Sequence, residues 1–270
     1  MNKIIGFIGS GNMATAMMGG IINANLVPAN QIVCSDPSEN KLIKIKDSYG
    51  VTVTTNNSEV ARKSDILVLS VKPQFYPEVI MEIKDSVNPN AIIVGIAAGQ
   101  KIETIKKLFG NEEIKVVRVM PNTPALVGEG MSALTPCPKV TEEELNLICN
   151  IFNSFGKSEV LPENLMDVVT GVSGSSPAYI FMIIEAMADA AVLEGMPRNK
   201  AYTFAAQAVL GSAKMVLETG KHPGELKDMV CSPAGTTIEG VSVLEETGLR
   251  NSIIKAVKLA TEKSKDLSNK

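Results

Sequence analysis

A chain of 270 residues with 45% hydrophobic content can bury a sizeable core, and its length fits one large domain or two modest ones better than three, with two expected. Its net charge of −3 is spread over intermixed signs, without the basic, aromatic-interleaved blocks that track a phosphate backbone, so nucleic acid is not an expected partner. Four scattered cysteines, Cys34, Cys137, Cys149 and Cys231, form no C-x-x-C pair, which speaks against a zinc site or a disulfide framework; no metal is expected, and the thiols read as reduced packing residues.

The amino terminus enters an apolar run at residues 4–8 that is too short for a secretory segment, and a cytoplasmic location is expected. Similar runs recur at 32–34, 66–71, 92–96 and 116–119, with helix-like or polar segments between them. That spacing suggests βαβ units, and continuous rather than alternating apolar runs predict a doubly wound parallel sheet with both faces covered.

The first run leads into Gly9-Ser10-Gly11-Asn12-Met13-Ala14, a G-x-G-x-x-A turn followed by the helical pattern Met17, Met18, Ile21, Ile22. Gly9 allows the tight turn, Gly11 a close backbone approach to a pyrophosphate, and Ala14 close helix packing, so a nicotinamide dinucleotide is expected. Asp36 ends the second run, where an acidic residue bonds a ribose 2′-hydroxyl and repels a 2′-phosphate, a lean toward NADH. Asp36-Pro37-Ser38 equally fits an Asx turn opening the next helix.

Farther along, Ser70-Val71-Lys72-Pro73 and Ala97-Ala98-Gly99 lie at strand ends, where ligands of open α/β sheets sit. By position, Lys72 is as consistent with a solvated loop as with a phosphate or ribose contact. In Met120-Pro121-Asn122-Thr123-Pro124, two prolines hold a polar pair in a stiff loop. Thr141 and Glu144 have capping-box spacing and open a helix through Leu145, Ile148 and Ile151 that Gly156 can end, before a last strand at 157–161.

Past Pro162 the pattern turns helical, broken at Gly195-Met196-Pro197 and at residues 220–223. The greasy stretch 178–193 falls short of the ~20 apolar residues of a membrane span and reads as a buried helix. Apolar spacing at 201–215 and 253–260 offers more face than a lone bundle hides, which suggests a homodimer through these helices. The lysine-rich tail 263–270 is expected to fray. The expected division is residues 1–163 for the dinucleotide and 164–270 for substrate binding and dimerisation.

Small residues crowd Gly171-Val172-Ser173-Gly174-Ser175-Ser176-Pro177-Ala178-Tyr179, and residues 222–237 read HPGELKDMVCSPAGTT. The second stretch closely resembles the signature of pyrroline-5-carboxylate reductases. The glycine turn, Val71-Lys72-Pro73, Ala97-Ala98-Gly99, the Asn-Thr-Pro loop and Ser-Gly-Ser-Ser-Pro-Ala-Tyr resemble that family in the same order, over nearly the whole chain.

The resemblance implies a Rossmann domain followed by an all-helical dimerisation domain, with dimers in some members assembling as decamers of five dimers. It implies hydride transfer from NADPH or NADH to 1-pyrroline-5-carboxylate, giving L-proline, the last step of proline biosynthesis. The cofactor would bind at Ile8, Gly9, Ser10, Gly11, Asn12, Met13, Asp36, Asn57, Ser70, Val71, Lys72, Pro73, Ala97 and Ala98. The substrate would bind at Ser176, Ser232, Gly235, Thr236 and Thr237, with Thr237 hydrogen-bonding the imine nitrogen. Two positions depart from some members: Ser176, where a third glycine is common, and Asp36, where a small polar residue often serves a phosphorylated cofactor.

The chemistry agrees with the residue inventory. A helix entered near Ile238 from a glycine-containing loop presents free N–H groups to a carboxylate. A cyclic imine is basic enough to be partly protonated near neutrality, so it accepts hydride without an enzyme acid. The single histidine, His222, sits beside Pro223-Gly224 and reads as ordering a turn rather than donating a proton. A hydroxyacid reductase of the same plan would place its catalytic lysine where Ile180 and Phe181 stand. A regulator that had lost catalysis would show a broken loop at 232–237, which is intact; another imine substrate stays open.

Overall fold

The computed structural model describes residues 3–268. Among them, an eight-stranded sheet runs β3-β2-β1-β4-β5-β6-β7-β8. Its strands are β1 (Ile5–Ile8), β2 (Ile32–Ser35), β3 (Thr52–Thr54), β4 (Ile66–Leu69), β5 (Ile92–Gly95), β6 (Lys115–Met120), β7 (Gly130–Pro136) and β8 (Gly156–Val160). All neighbours pair in parallel except β6 and β7, which run antiparallel.

Side-chain alternation along buried strands builds two cores. Ile5, Phe7, Ile32, Cys34, Ile66, Val68, Ile92 and Val94 face one layer. Ile8, Val33, Leu67, Leu69 and Ile93 face the other. The first layer is closed by α1 (Asn12–Asn23) through Met17, Met18 and Ile21, with α2 (Glu39–Tyr49) adding Ile45. The second is closed by α3 (Asn57–Lys63), α4 (Tyr76–Ile83) and α5 (Ile102–Phe109), through residues such as Val60, Ile80 and Ile105. Both faces being covered is why the strands read as unbroken apolar runs.

The helix α6 (Glu142–Asn153) returns to the first layer through Ile148, Ile151 and Phe152. Its capping box is formed: Glu144 N–H donates to Thr141 Oγ1 at 3.2 Å and Thr141 N–H to Glu144 Oε2 at 3.0 Å. Gly156 does not end this helix; Ser154 is its C-cap. Gly156 instead opens β8 at φ 154°, where a Cβ would lie 1.9 Å from the Gly130 carbonyl oxygen, so the strand pair needs glycine there.

Helices continue as α7 (Met166–Val169), a π-helical turn at Thr170–Gly174, α8 (Ser176–Leu193), α9 (Arg198–Thr219), α10 (Pro223–Val230), α11 (Thr236–Glu246) and α12 (Leu249–Ser268). The chain divides into two compact units. One holds the sheet, the residues up to Ser175 and those from Leu259 onward; the other spans Ser176–Lys258.

Within the second unit, α8 packs on α9 through small residues, Ala188, Ala201 and Ala205 being buried. The expected buried helix is not found: Ala188 is the one buried residue of α8, and Phe181, Met182 and Leu193 are exposed. By length and composition, the helical run Glu163–Leu193 is long and apolar enough to cross a membrane, with a mean hydropathy of 1.5 and 11% of that window buried. The tail does not fray through Ser268 either, because Ser264 and Ser268 hydroxyls donate to Asp167 Oδ1 at 2.7 and 3.1 Å; Asn269 and Lys270 lie outside the described residues.

Candidate active site

At the carboxyl ends of β1, β2 and β4, a cleft of about 560 Å³ opens. It brings together Ile8, Gly9, Ser10, Gly11, Asp36, Asn57, Ser70, Val71 and Lys72 of the expected cofactor residues. The turn between β1 and α1 is fixed from both sides. Gly9 N–H donates to the Ser35 carbonyl at 2.8 Å, and the Ser70 hydroxyl bonds the carbonyls of Ile8 and Gly9 at 2.9 and 2.8 Å. Gly9 has φ 98°, and a Cβ on it would lie 2.8 Å from the Ser70 carbonyl oxygen.

Gly11 is the N-cap of α1 in extended backbone with no side-chain cap, and a Cβ built there meets nothing within 4 Å. Bare amides at a helix start beside open space fit a pyrophosphate. The expected dinucleotide therefore suits the residues present. Asn12 is exposed in the first turn of α1, while Met13 packs against the first core layer rather than lining the cleft.

Asp36 is buried at 6% exposure although it borders the cleft. Its Oδ2 accepts from the Ser10 N–H at 3.0 Å and the Ser10 hydroxyl at 2.7 Å, and its Oδ1 from the Ser38 N–H at 3.0 Å. The Asx turn and the cleft wall are thus the same residue. Burial alone would raise this carboxyl, but the Ser10 and Ser38 bonds and the Lys41 charge, 3.7 Å away, outweigh it and hold Asp36 below the usual carboxylate range.

Asn57 accepts from the Ser35 hydroxyl and donates to Glu82, each at 2.7 Å, which pins α4 to the end of β2. Pro73 starts a short 3₁₀ turn and Ala97 and Ala98 end β5's extension; none of the three lines this cleft. Ala97 is tied to the end of β4 through buried Tyr76, whose hydroxyl donates to the Leu69 carbonyl at 2.9 Å and accepts from Ala97 N–H at 3.3 Å.

Residue reading missed Lys41, Phe75, Glu78, Val79 and Glu82 on the cleft wall. The last four recur at three- and four-residue steps after Lys72-Pro73, a single-face helical pattern that was the available signal.

The Asn-Thr-Pro loop is anchored by Asn122, which is buried, accepts from Met131 N–H at 2.8 Å and donates to the Ser173 carbonyl at 3.1 Å. Ser173 belongs to the π-helical turn, a feature that concentrates at functional sites. Its Gly174 faces the Met120 methyl, from which a Cβ would be 2.8 Å away.

In the helical unit, Ser176 is the first residue of α8. Ser232 opens a turn closed by Gly235 N–H donating to its carbonyl at 3.0 Å, with Ala234 at φ 55°. Helix α11 then starts at Thr236, two residues before the expected entry near Ile238, with Gly235 as an N-cap whose backbone is uncapped by any side chain. Thr236 and Thr237 therefore both stand in the first turn, Thr236 exposed and Thr237 half-buried. His222 caps α10, its Nδ1 accepting from Gly224 N–H at 3.0 Å.

Comparison with known proteins bears on both halves. Residues 163–267 match the model for pyrroline-5-carboxylate reductase dimerisation, and residues 4–99 that for coenzyme F420-dependent NADP oxidoreductases. The pyrroline-5-carboxylate reductase of Escherichia coli is 52% identical over 99% of both chains, and that of Methanosarcina acetivorans 49% identical over 100% of this chain and 99% of that one. Among solved structures, a pyrroline-5-carboxylate reductase from Coxiella burnetii superposes with a TM-score of 0.92 at 36% identity, covering 99% of each chain. One from Plasmodium falciparum with NADP bound gives 0.90 at 33% identity, covering 99% of this chain and 98% of that one.

Proposed function

The chain belongs to the pyrroline-5-carboxylate reductase family, and from that premise we infer that it reduces the C=N bond of 1-pyrroline-5-carboxylate to L-proline with NADPH or NADH as reductant. The observation that carries this reading is the pairing, in one chain, of the uncapped Gly11 start of α1 beside its cleft with the uncapped Ser232–Thr237 start of α11.

When bound, the dinucleotide supplies the hydride, which adds to the imine carbon while the nitrogen keeps the proton it took from solvent. The chain's own work is binding and alignment, the effect that converts a bimolecular step into one within a complex. Gly9 shapes the turn and Gly11 leaves room for the pyrophosphate at the uncapped start of α1, with Ile8, Ser10, Asp36, Asn57, Ser70, Val71 and Lys72 walling the cleft. Asn12, Met13, Pro73, Ala97 and Ala98 complete the proposed cofactor set. Amides at the start of α11 and the hydroxyls of Ser232 and Thr236 receive the substrate carboxylate, with Gly235 giving the backbone room and Ser176 bordering the ring. Thr237 hydrogen-bonds the ring nitrogen and so orients it.

The functional division is proposed at residues 1–163 and 164–270. The exposed apolar helices support a homodimer whose contacts complete each active site, with a decamer of five dimers as the larger assembly. The same dimer, rather than a membrane, covers the face of α8; the protein works in the cytoplasm, without nucleic acid.

The test follows dihydronicotinamide absorbance with 1-pyrroline-5-carboxylate for the wild type, Gly11→Val and Thr237→Ala. Oxidation that disappears in Gly11→Val and drops strongly in Thr237→Ala bears the reading out; no wild-type turnover with either cofactor overturns it.

A further inference from the structure

Resting on the reductase reading of this cleft, we infer that the chain takes its hydride from NADH in preference to NADPH, and that Asp36 is the residue that discriminates. It stands at the carboxyl end of β2, where the adenosine ribose of a dinucleotide lies in this class of sheet. A carboxylate offers roughly four acceptor positions and no donor. Three are taken, by Ser10 N–H, the Ser10 hydroxyl and Ser38 N–H. The fourth accepts a 2′-hydroxyl, whereas a 2′-phosphate brings only acceptors and negative charge to it.

The surroundings do not rescue the phosphate. Lys41 is the nearest cation, and its ammonium already lies 3.7 Å from Asp36. Glu78 and Glu82 add two carboxylates to the same cleft against Lys72 as the other lysine. Nor can Asp36 swing aside, because its two oxygens are bonded to different segments, the glycine turn and the start of α2's cap. Ser10 is thereby a positioning residue: it aims the discriminating carboxylate and joins it to the pyrophosphate turn.

The experiment compares kcat/KM for NADH and NADPH in the wild type, Asp36→Asn, Asp36→Ser and Ser10→Ala, with direct binding of each reduced cofactor read from its own fluorescence. The expected wild-type ratio favours NADH by about tenfold or more, and both Asp36 variants lower it by a similar factor, since they remove the carboxylate that repels a 2′-phosphate. Ser10→Ala lowers the ratio less. Equal or better use of NADPH by the wild type overturns the inference, and so does an NADH preference that survives both Asp36 variants. NADH binding preferred over NADPH without turnover of the imine supports the inference while overturning the reductase reading, so the two fail separately.

Discussion

Gly9 and Gly11 sit two residues apart in one turn, yet they are glycine for different reasons. Gly9 has a backbone at φ 98° and a Cβ position 2.8 Å from the Ser70 carbonyl oxygen, so Gly9→Ala is expected to cost about 2 kcal/mol or more in stability. Gly11 is extended and opens on space. Gly11→Ala should leave the melting temperature within about 2 °C of wild type while raising KM for the cofactor about tenfold or more, through steric exclusion of the pyrophosphate. Calorimetry beside cofactor titration checks the pair; a Gly11→Ala protein that melts early would mean that its role is structural.

Cys34, on β2 two residues before Asp36, shows how burial tunes a group that does not line the cleft. Burial first, then the nearby Asp36 charge, pushes its thiol from 9.0 up to about 12. Because the folded value lies above the ordinary one, the fold favours the protonated thiol. That contribution is intact below about pH 9 and is lost as pH rises toward 12. In the native protein near pH 8, mass mapping after alkylation should find Cys34 unlabelled, as thiolate is the reactive form; rapid labelling there would contradict the burial.

At the scale of elements, one arginine organises the unit that holds the sheet. Arg118 on β6 is 4% exposed and meets Glu163 at 3.2 Å and Asp167 at 3.9 Å. Glu163 Oε1 also accepts from Ile102 N–H at 2.9 Å, capping the start of α5, while Asp167 holds the end of α12 through Ser264 and Ser268. Arg118→Met removes the cation from a node that joins four elements. The expected loss is about 2–3 kcal/mol, below the usual range for a buried pair because Glu163 keeps some water. Denaturant titration measures it, and hydrogen exchange should show the end of α12 opening first.

This node was not legible in the sequence, since its members lie 45 and 49 residues from Arg118 and nothing local marks them. The same limit hid two strands. β3 is three residues long and half-exposed, and β7 carries Gly130 and Ser132 where a core strand would be more apolar. β1, β2, β4, β5, β6, the glycine turn and the capping box were legible because each is fixed by contiguous residues. Asp36 was readable as either a cap or a cofactor contact, and the fold makes it a cap that also walls the cleft beside the glycine turn.

For the whole molecule, the decisive quantity is the apolar surface that one chain leaves uncovered. Leu193 is 87% exposed and Phe204 66%, and Phe181, Met182, Leu210 and Leu217 are exposed on the same pair of helices. In the sheet unit the strands are covered on both faces by filled layers, which is why sequence periodicity marked them as buried but misjudged α8. In the proposed dimer, its apolar residues are conventional core residues whose core is shared between copies. Burying one large apolar side chain contributes about 1.5–3 kcal/mol, so replacing both Phe181 and Phe204 by glutamate should weaken self-association by about 100-fold or more. Light scattering over a dilution series reads the mass. If contacts between copies complete each active site, the double variant loses turnover at the dilution where its mass falls, while NADH binding to the glycine-turn cleft persists. A variant that stays assembled would place the interface elsewhere, and one that is monomeric and fully active would show that each chain carries a complete site.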